Sequence, residues 1–196
     1  MTTENIITLP NQHLRRSSRK VGIISNDIKK LIRQMEKVTL EWEDSREHEV
    51  GVALAAVQVD KLLRIIVIRN DFNNKEDKTF SVFINPVITK YEGEINEDFE
   101  GCLSVPDIYG RVKRYDKIRV RFLNTSGHER HITVEGFLAR VFQHEIDHTN
   151  GLVFIDHIKD QPDAFFILTD EGKLEPLDYE KDVRNNRVLW QRTGSR

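Results

Sequence analysis

Gln143-His144-Glu145-Ile146-Asp147-His148, inside the segment from Glu135 to Asn150, is the stretch from which the fold is read. Apolar residues recur through that segment at helical spacing and Gly151 follows as a stop, so a helix is expected there. The H-E-x-x-H pattern places His144 and His148 one turn apart on the same face, where two imidazoles can share one metal ion. Glu145 is rotated about 100° around the axis from His144, so its carboxylate can reach a water without occupying the metal. That is the placement a general base needs. Phe137 and Val141 precede the histidines on the same stripe, which turns the imidazoles inward. A surface helix with two chance histidines is the plainer alternative, and the apolar stripe argues against it.

Working outward, Ile28, Leu31, Ile32, Met35 and Val38 predict a packing helix from about Asp27 to Glu43, capped by Ser25 or Asn26. The charged stretch Asp44 to Glu49 reads as a solvated loop with His48 on the surface. Strands are expected at Leu62–Ile68, Phe80–Ile84, Val87–Tyr91, Ile118–Leu123 and His131–Val134, with polar turns at Asn70–Asp77 and Thr125-Ser126-Gly127. Antiparallel strands on short turns, without alternating strand and helix units, make this an α+β pattern. Phe165–Leu168 and Lys173–Leu177 are expected to pair around Asp170-Glu171-Gly172. The last dozen residues are polar and basic, and no function attaches to them.

A chain of 196 residues is long enough for one core of its own. Its 30 basic and 32 acidic side chains leave a formal charge of -2, so no global field attracts nucleic acid or an anionic membrane, and neither is expected as a partner. No apolar run approaches the roughly 20 residues that span a bilayer, and Met1-Thr2-Thr3-Glu4-Asn5 lacks the pattern of a signal peptide. A cytoplasmic protein is the expectation. The sequence shows no repeat, low-complexity tract or glycine-rich phosphate loop.

Two histidines leave a catalytic metal site one protein ligand short. A third histidine at the metzincin spacing is ruled out, because Phe154 stands there. Glu171 or Glu175 would make a zinc endopeptidase, yet neither sits on a convincing second helix. Cys102, the only cysteine, cannot form an internal disulfide and is the better candidate, against the plain reading of a buried inert thiol.

Cys102 lies in Glu100-Gly101-Cys102-Leu103-Ser104, which resembles the second signature of peptide deformylases. Gln143-His144-Glu145-Ile146-Asp147-His148 resembles the third, and Gly51-Val52-Ala53-Leu54-Ala55-Ala56-Val57-Gln58 resembles the first, G-x-G-x-A-A-x-Q. The three occur in family order. The resemblance implies a fold of antiparallel sheets packed around a central helix that bears the H-E-x-x-H motif. It implies hydrolysis of the N-formyl group from the formyl-methionine of nascent polypeptides, with nascent chains at the ribosome as substrates and a monomeric enzyme.

In that family pattern Cys102, His144 and His148 hold one divalent ion, Fe2+ foremost, with Zn2+, Ni2+ or Co2+ as alternatives. Glu145 carries the proton, and the Gln58 side-chain amide and the Leu103 N–H meet the oxyanion. Val52, Ala53, Phe137 and Val141 line the substrate pocket, and Glu100 pairs with Arg114 to stiffen the cysteine segment. Plain core residues and an ordinary surface ion pair are the bland alternatives for these two groups.

The second glycine of the first signature is Ala53 here, which adds a methyl where backbone and substrate come close. Thr149 replaces a common leucine. Ala53 alone suggests a third possibility, an inactive binding module, but retention of Glu145 and Gln58 argues against it. The resemblance runs from about Ile7 to Ile158, so residues 1–158 are expected as the catalytic domain. Residues 159–196 would be a C-terminal extension of unassigned role, packed on the same domain.

Overall fold

The computed structural model describes residues 6–46 and 48–190; the opening Met1–Asn5, Glu47 of the charged stretch and the end of the basic tail lie outside them. The element order is α1 (Asn26–Asp44), β1 (Ala53–Ala55), β2 (Ile65–Arg69), β3 (Phe80–Cys102), β4 (Val105–Leu123), β5 (Glu129–Glu135), α2 (Gly136–Thr149), β6 (Phe165–Leu168), β7 (Leu174–Pro176) and α3 (Arg187–Trp190). The strands pair antiparallel in the order β1-β2-β3-β4-β6-β7, with β5 also on β4.

The run Ile65-Ile66-Val67-Ile68 is apolar on both faces because a helix covers each. Ile66 and Ile68 join Ala139, Phe142 and Ile146 of α2 in one core cluster. Ile65 and Val67 join Leu31, Ile32, Met35 and Val38 of α1 in another. Each such side chain contributes about 1.5–3 kcal/mol when fully buried, so the β1–β2 ladder is fixed from both sides. Within α1, the Ser25 hydroxyl accepts from the Ile28 N–H and caps the first turn. Gly151 ends α2 with φ +79, and a Cβ there would sit 2.8 Å from the Arg15 carbonyl oxygen. Glycine is required by both conformation and space.

Strands expected at Phe80–Ile84 and Val87–Tyr91 are parts of one 23-residue strand, and Ile118–Leu123 is the end of a 19-residue partner. The mostly polar and mostly exposed residues from Glu92 to Asp98 break the alternation that marks a strand in sequence. Their backbone still pairs with Lys117 to Val112 across three register shifts between Ile84 and Ile95, which bend the ladder. The Leu62 end of the next expectation is also corrected. Strand β2 starts at Ile65, because Leu62 and Leu63 lie against the Arg19 segment instead, with the Leu62 carbonyl accepting from Arg19 N–H at 3.1 Å and Leu63 bridged to Arg19 in parallel.

The hairpin β6–β7 turns through Thr169–Lys173, with Gly172 at φ +74. β6 pairs through Ile167, Phe166 and Phe165 with Ile108, Tyr109 and Gly110 of β4. Phe165, Val183 and Leu189 share a core cluster with Val105, Val112 and Val153, which joins the C-terminal segment to the rest of the fold. No helix among the described residues is long and apolar enough to cross a membrane.

Candidate metal centre and substrate cleft

Cys102 ends β3 and faces the C-terminal half of α2, where His144 and His148 lie. Its Sγ lies 3.2 Å from His148 Nε2, and one ligand atom from each of Cys102, His144 and His148 falls within 4.8 Å of the others. A thiolate and an imidazole on one tetrahedral ion stand about 3.5 Å apart, so the cluster is close to ligand spacing. The two rings meet edge to face with centroids 4.9 Å apart.

The electrostatics favour a cation at this point. Burial holds His148 well below the usual histidine range, which keeps it neutral and its lone pair available. Burial, the largest influence on His144, also opposes its charged form, but hydrogen bonds and charge from Cys102 and Glu100 outweigh it and hold that ring well above the usual range. The thiol and carboxylate thus attract positive charge to the place where a divalent ion would sit. Donor types, spacing and charge together fit a metal.

Glu145 is buried, and its Oε2 has no hydrogen-bond partner among the described residues. Desolvation pushes its pKa up to about 7, with His144 pulling the other way. Gln58 lies in a single 3₁₀ turn after β1. Its Oε1 accepts from the Ala55 N–H at 2.9 Å, while its Nε2 faces the Ser104 hydroxyl at 3.2 Å and Cys102 Sγ at 3.6 Å. The Cys102 sulfur also receives the Ser104 N–H at 3.4 Å.

Glu100 and Arg114 meet inside the protein, each 6% exposed, so the surface-pair alternative is set aside. Arg114 Nε and Nη2 grip the two Glu100 oxygens at 2.9 and 3.0 Å, and Arg114 Nη1 donates to Asp147 Oδ2 at 2.6 Å. Glu100 Oε2 also faces His144 Nδ1 at 2.9 Å. Burial would raise the Glu100 pKa, but His144 and Arg114 hold it far below the ordinary carboxylate value.

A cleft of about 230 Å³ opens beside this cluster and is lined by Val52, Ala53, Gln58, Leu103, Phe137 and Val141, among others. Val141 is buried, but Phe137 is 47% exposed and stands at the lip, its ring 5.0 Å from that of Phe72. The inward stripe therefore begins one turn later than the sequence suggested, because Phe137 lies in the first turn of α2, where the helix leaves the sheet. Glu171 pairs with Lys173 on the surface and Glu175 is exposed on β7, so neither reaches the cluster.

The charged stretch after α1 is not simply solvated. Arg46 bonds Asp107 at 2.8 Å, and Glu49 accepts from the Tyr109 hydroxyl at 2.6 Å at the rim of the cleft. His48 is exposed. Sequence reasoning also missed Ser104, Arg140 and Asp147, which touch the groups above. Ser104 and Asp147 lay inside the quoted motifs, and Arg140 sits four residues before His144 on the inward stripe.

A sequence model of the family described as polypeptide deformylase matches residues 3–163. The peptide deformylase of Aquifex aeolicus is 41% identical over 157 residues, 79% of this chain and 87% of that protein. The fold is similar to that of the Synechococcus elongatus peptide deformylase solved in complex with actinonin, at TM-score 0.71 and 32% identity over 80% of each chain. It is similar also to the Thermotoga maritima peptide deformylase, at TM-score 0.69 and 34% identity over 78% of this chain and 95% of that one. With that match over most of its length, and with the three signatures folded around one cleft, the chain belongs to the polypeptide deformylase family.

Proposed function

We propose that Cys102, His144 and His148 hold one divalent ion, Fe2+ in the cell, and that Glu145, Gln58 and Leu103 act beside it on a formyl-methionine substrate. The observation that carries this reading is the convergence of three ligand atoms within 4.8 Å, next to a buried and unpartnered carboxylate oxygen. The chain is a metal-dependent hydrolase that removes the N-formyl group from nascent peptides, as its family does. Held by Cys102, His144 and His148, such an ion would supply Lewis acidity that lowers the pKa of water and polarises a carbonyl.

The chain's own residues divide the remaining work. Glu145, raised by burial toward neutrality, takes a proton from the attacking water and returns it to the departing amine. Gln58 is held by Ala55 on its carbonyl side, with its NH₂ group beside Ser104 and Cys102, from where it would donate to the developing oxyanion together with the Leu103 N–H. Val52, Phe137 and Val141 offer apolar surface to the methionine side chain, and Ala53 narrows the entrance. Glu100 and Arg114 brace the Cys102 segment.

Thiolate and imidazole ligands accept Fe2+, Zn2+, Ni2+ or Co2+, so the choice of iron rests on the family likeness rather than on the donor set. Residues 1–158 are the catalytic domain and the C-terminal extension packs on it, the whole a monomer in the cytoplasm that meets nascent chains as they leave the ribosome. The test is formate release from formyl-Met-Ala-Ser by protein purified without oxygen, with metal analysis of the same sample. Turnover that tracks metal content supports the proposal; full metal loading without formate release refutes it.

A further inference from the structure

Arg140 lies one turn before His144 on the inward face of α2 and is 6% exposed. A buried guanidinium costs several kcal/mol in lost hydration unless its donors are used, and here they are. Nη1 donates to Glu100 Oε1 at 2.9 Å and to the Val112 carbonyl at 2.8 Å, with the Asp98 carbonyl at 3.3 Å. Nη2 donates to the Asn96 carbonyl at 2.8 Å. One side chain thus ties α2 to both strands of the long hairpin.

The consequence falls on Glu100. Its Oε1 receives Arg140 Nη1 and Arg114 Nε, each at 2.9 Å. Its Oε2 receives Arg114 Nη2 at 3.0 Å and faces His144 Nδ1 at 2.9 Å. Arg140 and His144 come from successive turns of one helix and grip opposite oxygens of one carboxylate. The carboxylate cannot rotate about its terminal bond without releasing both. Fixed in this way, it holds the proton on His144 Nδ1 and leaves Nε2 as the ligand atom. The charges also balance, with Glu100 and Asp147 set against Arg114 and Arg140. Arg114 alone would be divided between two carboxylates.

We infer that Arg140 is a positioning residue for the metal centre, orienting Glu100 so that His144 presents Nε2 to the ion. In this role it acts through Glu100 and not on the ion. The inference rests on the reading of Cys102, His144 and His148 as ligands.

The test is Co2+ affinity of the apo protein, measured by competition with a chromophoric chelator, for the parent, Arg140→Met, Arg140→Lys and Cys102→Ala. Arg140→Met should keep the parent's far-UV circular dichroism and bind Co2+ about 10- to 100-fold more weakly, with an altered d–d absorption band. Arg140→Lys should fall between the two, because an ammonium restores the charge but cannot fork to Glu100 and the strand carbonyls together. A merely structural arginine would lower apo stability and leave affinity and spectrum unchanged in the folded fraction. Parent-like affinity in Arg140→Met, with binding lost in Cys102→Ala, overturns the inference and spares the ligand reading. Parent-like affinity in Cys102→Ala overturns the ligand reading itself. If the methionine variant does not fold, the lysine variant decides, and parent-like Co2+ affinity there overturns the inference.

Discussion

Glu100 Oε2 lies 2.9 Å from His144 Nδ1, joining the end of β3 to the middle of α2. Through that bond the sheet sets the orientation of an imidazole that the helix carries. With His144 as a metal ligand, as proposed, the stability of the hairpin and the metal chemistry share one buried carboxylate.

Replacing that carboxylate should be costly. Glu100→Gln leaves Arg114 and Arg140 without their shared counter-charge, and breaking such a buried cluster typically costs about 3–5 kcal/mol. Urea denaturation of the apo variant measures this. Because the folded-state pKa of Glu100 is depressed, its contribution is fully present above the unfolded value near 4.5 and is lost as pH falls below it toward the folded value. The parent's stability should thus decline from about pH 5 downward, more steeply than that of the Gln variant; parallel pH dependence in the two would count against this role.

If the Glu145 carboxylate moves protons and is not a ligand, as proposed, Glu145→Ala should lower kcat by about 10²- to 10⁴-fold while the ion stays bound. A base must be ionised, so kcat/KM of the parent should rise with pH to a plateau. Burial, opposed by His144, raises its midpoint to about 7 without an ion, and a nearby divalent ion would draw it lower. Loss of metal in the variant as complete as in His144→Ala would contradict the assignment, as would a parent profile that falls with pH between 5 and 7.

Gln58→Ala should cost about 10²- to 10³-fold in kcat with little change in metal content, the usual effect of deleting one oxyanion donor. Steady-state kinetics on formyl-Met-Ala-Ser would show the loss in kcat rather than in KM. A change confined to KM would make Gln58 a binding residue instead.

Ala53→Gly removes a methyl that lines the cleft, and kcat/KM on formyl-Met peptides should rise. The same change puts glycine into β1, at a cost of about 0.5–1 kcal/mol in stability. An unchanged or lower kcat/KM would show that the methyl is already accommodated.

Much of this arrangement is legible in the sequence where function concentrates residues locally. His144, Glu145 and His148 share one helical repeat, so their faces follow from helix geometry alone. Cys102 is different. It lies 46 positions from His148 and is brought to it by the long β3–β4 hairpin, whose middle is too charged to read as a strand. It was singled out as the sole cysteine once Phe154, Glu171 and Glu175 were set aside, and then by the family likeness of its motif. Arg140 looks like any surface arginine in composition, and its placement on an inward stripe was the sole sign of burial. Glu49 and Arg46 were hidden for a similar reason: a charge run looks solvated until Tyr109 and Asp107 are folded against it.

The most direct test of the account divides one stripped sample of the parent and one of Cys102→Ala, adds Fe2+ to each without oxygen, and measures bound iron and formate release from formyl-Met-Ala-Ser. The parent should regain one ion per chain and turn over, with activity that decays in air as the iron and thiolate oxidise. Cys102→Ala should regain neither iron nor activity. Formate release by the stripped parent, or parent-like iron content and turnover in Cys102→Ala, would contradict the account.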